Sequence, residues 1–291
     1  MEGLITHIQR MSIHDGPGIR STIFMKGCNL RCKWCHNPET FSPLPEIEWI
    51  QDKCISCGAC LNTCHPKALY LEEEKVKFNK SNCTACFDCI TNCFPEAIRK
   101  IGRKITPNEV FSEVEPDFSF FKESNGGITI SGGEPILQAE FVRETFLLFH
   151  KAGIHTALET NLSLSWGKYE AILPYVDLIM ADLKLVEENS HMKWTGNTNR
   201  QIKENILKLD QQNYPYILRT PVIPHVNDNE ESLLQIIHFV SNLKNLIKLE
   251  LLPFHPLAAS KYKNLGISNP FEGTGTISPV KMQQYKHLLQ Q

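Results

Sequence analysis

All eleven cysteines of this 291-residue chain fall between Cys28 and Cys93. The first three, Cys28, Cys32 and Cys35, occupy the stretch GCNLRCKWCH with gaps of three and two residues. The other eight form two like runs, CISCGACLNTCHP from Cys54 and CTACFDCITNCFP from Cys83. Each is spaced C-x2-C-x2-C-x3-C-x-P, and the two are offset by 29 residues. Their flanks repeat as well, Pro66-Lys67-Ala68-Leu69 against Pro95-Glu96-Ala97-Ile98, so one small unit is duplicated. An odd cysteine count, with no basic n-region or long apolar stretch opening the chain, points to a reducing, cytoplasmic setting. Metal ligation is expected there instead of disulfide pairing.

The duplicated runs resemble those of bacterial ferredoxins, in which the fourth cysteine of each run crosses to the other cluster. The spacing then assigns Cys54, Cys57, Cys60 and Cys93 to one [4Fe–4S] cubane. Cys83, Cys86, Cys89 and Cys64 go to the second. Each half lends a ligand to the other, so neither closes alone. Four-cysteine zinc sites present two separated C-x2-C pairs, a different pattern. Three cysteines remain. On a third cubane they leave one iron without a protein ligand, as a catalytic zinc keeps one position free for chemistry. A zinc knuckle using His36 as fourth ligand is the alternative.

The rest of the chain reads as a soluble globular protein, 42% hydrophobic and 21% charged. A net charge of −2 gives no electrostatic argument for nucleic acid or an anionic membrane as partner. Apolar runs predict strands over Ser21–Met25, Gly127–Ser131, His155–Thr160, Leu178–Asp182, Tyr216–Pro221 and Ile247–Leu252. Thr106-Pro107-Asn108-Glu109 is a capping box opening a helix toward Phe121. Asp228 with Glu231 opens another, and Ser278-Pro279 the last. Gln138–Lys151 has helical apolar spacing. Strands alternating with helices argue for an α/β fold with a parallel sheet, either an open doubly wound sheet or an incomplete barrel.

C-x3-C-x2-C with an aromatic before the last cysteine resembles the signature of radical S-adenosylmethionine enzymes. His14-Asp15-Gly16-Pro17-Gly18-Ile19-Arg20, with Phe24-Met25-Lys26-Gly27-Cys28, is similar to the N-terminal signature of a subset, the glycyl radical enzyme activating enzymes. This resemblance implies a partial (β/α)6 TIM-like barrel with its site at the C-terminal strand ends. It divides the chain into residues 1–48, which begin the barrel, a ferredoxin-like 2[4Fe–4S] insertion at 49–103, and 104–291, which complete the barrel.

The resemblance also implies a set of site residues. Cys28, Cys32 and Cys35 hold the open cluster. Trp34, Cys35 and His36 lie beside the adenine of S-adenosylmethionine, and His255 on its adenosine side. Ser131-Gly132-Gly133-Glu134-Pro135 resembles the turn that receives the methionine amino group. Glu159-Thr160-Asn161 stands where relatives place Asp-Thr-Asn, a segment that helps bind a monovalent cation. Glutamate replaces aspartate here, and Leu162 stands where glycine is common. Met180-Ala181-Asp182-Leu183-Lys184 resembles the Asp-x-Lys that positions the methionine carboxylate, with Asp182 and Lys184 on one face of a strand end. Arg219 resembles the strand arginine near that carboxylate. Asp15 is implied in meeting the loop that bears the target glycine.

The expected activity is reductive cleavage of S-adenosylmethionine to a 5′-deoxyadenosyl radical, which takes hydrogen from a backbone glycine of a partner glycyl radical enzyme. Reduced flavodoxin or ferredoxin is the expected donor and the monomer the expected state. A radical enzyme acting on a small molecule and a ferredoxin-type electron carrier are the alternative readings.

Overall fold

Apolar runs bounded by turn residues become parallel strands when both of their faces are covered, one by helices and one by the lumen of a curved sheet. The computed structural model describes residues 1–289. Its strands are β1 (Gly3–Ser12), β2 (Arg20–Met25), β3 (Glu46–Trp49), β4 (Leu69–Glu72), β5 (Lys75–Phe78), β6 (Ile98–Ile101) and β7 (Arg103–Ile105). Then follow β8 (Gly127–Gly132), β9 (His155–Thr160), β10 (Leu178–Asp182), β11 (Tyr216–Val222) and β12 (Leu246–Pro253). The helices are α1 (Pro107–Val114), α2 (Phe118–Ser124), α3 (Ala139–Lys151), α4 (Trp166–Glu170), α5 (Glu188–Thr195), α6 (Arg200–Gln211), α7 (Glu230–Val240), α8 (Ala259–Leu265) and α9 (Pro279–Leu288).

The main sheet runs β12-β11-β10-β9-β8-β2-β1-β7. From β2 to β12 every pairing is parallel, which gives six strands of an α/β fold consistent with a partial barrel. β1 and β7 add an antiparallel edge that the sequence pattern did not predict. Alternation along the strands sorts the side chains. Ile130, Leu158, Ile179 and Leu218 enter the main core beneath the helices. Ala157, Leu178, Met180 and Ile217 form a separate apolar cluster on the opposite face. Helix α3 seals the outer layer with Phe141, Val142, Phe146 and Phe149, and Phe149 meets Phe111 of α1 at 5.1 Å between ring centroids. Each such side chain contributes about 1.5–3 kcal/mol by leaving water.

Two helix boundaries differ from expectation. The helix opened by the Thr106 capping box stops at Val114, and a 3-10 turn over Glu115–Asp117 precedes α2. Pro116 lacks the amide that a continuous helix needs at that point. Helix α7 is capped by Asn229, whose side chain accepts from Ser232 N, not by Asp228. Asp228 instead accepts from His225 N and from Lys281 Nζ of α9. Among the described residues no helix is long and apolar enough to cross a membrane.

Between β2 and β7 the chain leaves the sheet. β3 and β6 pair antiparallel as a ribbon, and β4 pairs with β5 beyond it. The cysteine-rich repeats lie within this excursion, with their own small core of Ile47, Trp49, Leu69, Val76 and Ile98.

Candidate active site

The three-cysteine loop leaves the end of β2 through Gly27, whose φ of +107° suits glycine. Its path is strapped by backbone hydrogen bonds: Gly27 N to Thr40 O at 2.9 Å, Arg31 N to Thr195 O at 2.7 Å, and Lys33 N to Trp194 O at 3.0 Å. Cys28, Cys32 and Cys35 thereby face one cavity of about 1040 Å³, open to solvent, over the C-terminal strand ends. Leu30 N points at Cys28 Sγ and Asn37 N at Cys35 Sγ, both at 3.4 Å. Burial pushes the Cys28 thiol up to about 12 and raises Cys32 and Cys35 as well. Bare thiolates are therefore costly here. A cationic metal centre reverses that balance, since coordination deprotonates a thiol outright. Three soft sulfur donors with amides aimed at them fit an iron–sulfur cluster.

The glycine turn after β8 borders the same cavity through Gly132 and Gly133. Both glycines are required by packing. A Cβ on Gly133 would sit 2.0 Å from Gly27 O, and one on Gly132 2.5 Å from Met25 N. The turn is tied to the cysteine loop by Glu134 N donating to Gly27 O at 2.8 Å. Glu134 itself is fully enclosed. Its carboxylate accepts from Thr160 Oγ1 at 2.7 Å, Asn161 N at 2.8 Å and Ile136 N at 3.1 Å. Burial pushes its carboxyl up to about 7 against those donors. The side chain locks β8 to the end of β9, while the glycine backbone faces the cavity.

Asp182 and Lys184 share a face and pair at 2.6 Å between Oδ2 and Nζ, both bordering the cavity. Burial opposes the Lys184 charge, but Asp182 and Cys32 outweigh it and hold its pKa above the ordinary value. Glu159 and Thr160 line the cavity too. Glu159 accepts from Ser131 Oγ and from Arg219 Nη1, the latter at 2.9 Å. Arg219 also donates to Glu250 Oε2 at 3.0 Å and to His14 O at 3.3 Å. Burial lowers the Arg219 pKa, and its two carboxylates more than restore it.

His36 stacks on His255 at 4.0 Å between ring centroids. Burial first, then His255, pushes the His36 pKa down to about 4. Among the described residues His36 Nε2 and His255 Nδ1 are buried without a hydrogen-bond partner, so two polar atoms remain for a ligand. Trp34 is nearly buried and packs edge-on against Phe271. Met180 is fully buried in the apolar cluster of the inner sheet face, away from the cavity lining. Asp15 stands where this cavity meets a larger cleft, and its carboxylate accepts from Ser12 and Thr22 hydroxyls at 2.6 and 2.8 Å. That cleft runs between residues Ile13–Pro17 on one side and β12 on the other, and it also takes in Arg219 and His255.

The remaining cysteines gather in two sets. Cys54, Cys57, Cys60 and Cys93 line one small cavity. Cys64, Cys83, Cys86 and Cys89 line another of the same size. The backbone repeats along with the sequence: left-handed φ values recur at Ser56 and Ala85, Gly58 and Phe87, and Lys67 and Glu96. All eleven thiols are free. Among the described residues no three metal-binding side chains converge on a single point. The sulfurs of each set face a shared volume instead.

Sequence reasoning overlooked Glu250 and Tyr262, and it named Asn161 only as part of the Glu159-Thr160-Asn161 segment. A lone carboxylate inside the apolar strand LIKLELLP was the available signal for Glu250. Asn161 Nδ2 lies 4.0 Å from Cys28 Sγ and 3.2 Å from Asn29 Oδ1. The buried Tyr262 hydroxyl has no hydrogen-bond partner; burial first, then the Cys35 thiol, raises its pKa. Nothing in the sequence near Tyr262 marks it.

Comparison with known proteins extends these observations along the chain. The pattern of the radical SAM superfamily matches residues 22–237. The (2S)-3-sulfopropanediol dehydratase activating enzyme of Klebsiella oxytoca is 40% identical over 272 residues, 91% of this chain and 86% of that protein. The trans-4-hydroxy-L-proline dehydratase activating enzyme of Clostridioides difficile is 36% identical over 293 residues, 100% of this chain and 97% of that protein. The crystal structure of Streptococcus suis SuiB bound to precursor peptide SuiA aligns with a TM-score of 0.53 at 9% identity, over 90% of this chain and 43% of that one, a likeness of fold alone. Matched over most of its length by proteins of one kind, and carrying a three-cysteine loop above parallel strand ends, the chain belongs to the radical SAM superfamily and, within it, to the glycyl radical enzyme activating enzymes.

Proposed function

We propose that this protein activates a glycyl radical enzyme. Bound S-adenosylmethionine and a [4Fe–4S] cluster supply the chemistry: one electron cleaves the sulfonium, and the resulting 5′-deoxyadenosyl radical takes a hydrogen atom from a backbone glycine of the partner. The observation that carries the reading is the single cavity in which Cys28, Cys32 and Cys35 face the Asp182–Lys184 pair and the Gly132-Gly133 turn.

The three thiolates hold the cluster. Gly132 and Gly133 offer backbone to the methionine amino group, and Glu134 holds their turn in place. Lys184, oriented by Asp182, meets the methionine carboxylate, and Arg219 sets the charge at the floor of the site through Glu159. Glu159, paired with the Arg219 guanidinium, and Thr160 mark the segment where a monovalent cation would sit. Trp34, His36 and His255 take the adenosine side, and Met180 supports the strand beneath Asp182. Asp15 holds the Gly16-Pro17-Gly18 turn toward the partner's glycine loop. No side chain acts as general acid or base; the site orients the reactants and excludes water and competing hydrogen donors.

Residues 49–103 form a ferredoxin-like insertion that holds two further cubanes between 1–48 and 104–291, the two parts of the barrel. Two matched four-cysteine cavities and a repeated backbone support this. A reduced flavodoxin or ferredoxin supplies the electron to a monomeric, cytoplasmic enzyme.

Anaerobic reconstitution tests the reading. Three cubanes mean about 12 iron atoms per chain. With dithionite, the protein should release methionine and 5′-deoxyadenosine and raise a glycyl radical signal in a partner glycyl radical enzyme. Zinc in place of iron, or cleavage that survives Cys28→Ala, would overturn it. Turnover of a small molecule without a protein partner would move the protein to another radical S-adenosylmethionine class.

A further inference from the structure

The two four-cysteine sets are related by duplication, yet they do not sit alike on the barrel. The β3–β6 ribbon leaves the barrel between Pro45 and Gly102, both packed beside Lys26 at the end of β2. Its first inward residue, Ile47, lines the cavity of Cys64, Cys83, Cys86 and Cys89. Trp49 and its register partner Ile98 line the cavity of Cys54, Cys57, Cys60 and Cys93. Two strand residues carry that second cavity about 7 Å further out along the ribbon.

A second contact supports the same order. Phe78 lines the Cys83 cavity and lies 3.5 Å from the Cβ position of Gly266, which ends helix α8. Lys80, beside the same set, pairs with Glu46 at 2.6 Å, and Glu46 pairs with the buried Lys26 at 2.8 Å. Helix α8 then reaches the three-cysteine loop. Lys261 donates to Asn37 Oδ1 at 2.8 Å and Glu39 Oε1 at 2.6 Å. One short helix therefore packs on the Cys83 side of the insertion and bonds to the Cys35 end of the loop; toward the Cys54 side it offers the exposed Lys263–Asp52 pair at 3.2 Å.

The outer set also looks different to solvent. Ile55 and Phe94, next to Cys54 and Cys93, are 69% and 98% exposed. Their counterparts in the other set, Thr84 and His65, are polar.

We propose that the two sets are ordered. Cys64, Cys83, Cys86 and Cys89 form the inner set, facing Cys28, Cys32 and Cys35 across α8. Cys54, Cys57, Cys60 and Cys93 form the outer set, which meets an external low-potential one-electron donor protein. One electron passes inward, the donor is oxidised by one, no bond forms or breaks in the insertion, and both sets return to their starting state. This ordering rests on the reading of both sets as cubane ligands.

The test uses the reconstituted holoenzyme and its Cys86→Ala and Cys57→Ala variants, followed by electron paramagnetic resonance. The signal of the three-cysteine cluster is the one that changes when S-adenosylmethionine is added. In the fully reduced parent its relaxation is accelerated by the nearest second spin. That acceleration should be lost in Cys86→Ala and retained in Cys57→Ala. The opposite pattern, or equal loss in both, overturns the order. Should either variant fail to fold, anomalous scattering from crystals of the unaltered holoenzyme locates the irons; an outer set nearer Cys35 than the inner one overturns the order equally. An iron count near four per chain would remove the parent reading and the order with it, whereas a count near 12 with the reversed pattern removes the order alone.

Discussion

Arg219 of β11 donates to Glu159 of β9 at 2.9 Å, reaching across the intervening strand β10. Its other side holds Glu250 of β12. One guanidinium thus neutralises carboxylates from both flanks of the inner sheet face, with only 8% of its side chain exposed. Removing Arg219 leaves Glu159 without a counter-ion, while Glu250 keeps Lys248 at 2.6 Å. Arg219→Met should cost about 3–5 kcal/mol of stability. Adding Glu159→Gln should return part of that loss. Anaerobic urea unfolding of the two variants decides it, and a loss below about 1 kcal/mol, the range of an exposed pair, would sink the account.

Gly133 is fixed by the carbonyl of Gly27, 2.0 Å from where a Cβ would stand. Gly133→Ala must push the glycine turn away from the cysteine loop and should cost about 3 kcal/mol, the upper end of overpacking. Gly167 in α4 has nothing within 4 Å of its Cβ position. There, alanine should be neutral or stabilise by about 0.5–1 kcal/mol. Thermal unfolding of both variants gives the contrast, and equal effects would count against it.

Leu162 occupies the left-handed region at φ +53° with its side chain buried. The backbone keeps a glycine-like conformation although the residue is leucine. Truncation opens a cavity in either variant. Glycine, though, relieves about 1–2 kcal/mol of left-handed strain that alanine retains. Leu162→Gly should therefore be more stable than Leu162→Ala, the reverse of the usual order. Urea midpoints that place the alanine variant above the glycine variant would refute this.

Much of this site could be read in the chain beforehand. Five of the six parallel strands, β2 and β8 to β11, are buried on both faces and read as mostly apolar runs, and β9 and β10 begin and end where those runs do; β12 is half exposed. The grouping of the eight later cysteines around two cavities was legible because it follows from their spacing in the chain. β1 was not, since it is half exposed, flanked by β7 only over Gly3–Ile5, and its pairing with β2 is broken by register shifts, one of them near Ser12. The cap of α7 was misplaced by one residue because Asp228 and Asn229 have equal capping chemistry; only the contact of Asp228 with α9 separates them. Partners joined across strands, such as Glu250 with Arg219, are set by register and not by local pattern.

Asp117 gives a pH-dependent prediction away from the metal ligands. Its buried carboxylate accepts from Arg10 Nε at 2.8 Å, again from Arg10 Nη2, and from Ser21 Oγ at 2.6 Å. The Arg10 hydrogen bonds, with Ser21 assisting, hold its carboxyl below the ordinary 3.8. Its contribution is complete above that ordinary value and is lost as pH falls through the lowered one. Asp117→Asn should cost about 2 kcal/mol at neutral pH, and the gap from the parent should close in acid. Unfolding measured from neutral pH downward checks it; a gap that widens in acid has the wrong sign.

The Asp182–Lys184 pair gives a functional prediction. Asp182→Asn leaves Lys184 charged but unheld. S-adenosylmethionine cleavage should fall about 10–100-fold, the usual loss when an orienting partner is removed. Iron content should stay unchanged, which separates misorientation from cluster loss. Unaltered cleavage by an iron-replete variant would show that Lys184 needs no partner.

The sheet of six parallel strands never closes on itself, and a long cleft fills the seam between the Ile13–Pro17 loop and β12. A sealed tube can be entered only from its ends. A tube split along its flank also admits a chain from the side. The missing staves of this barrel would give a residue anchored at both ends a broad approach to the cavity, with room to withdraw.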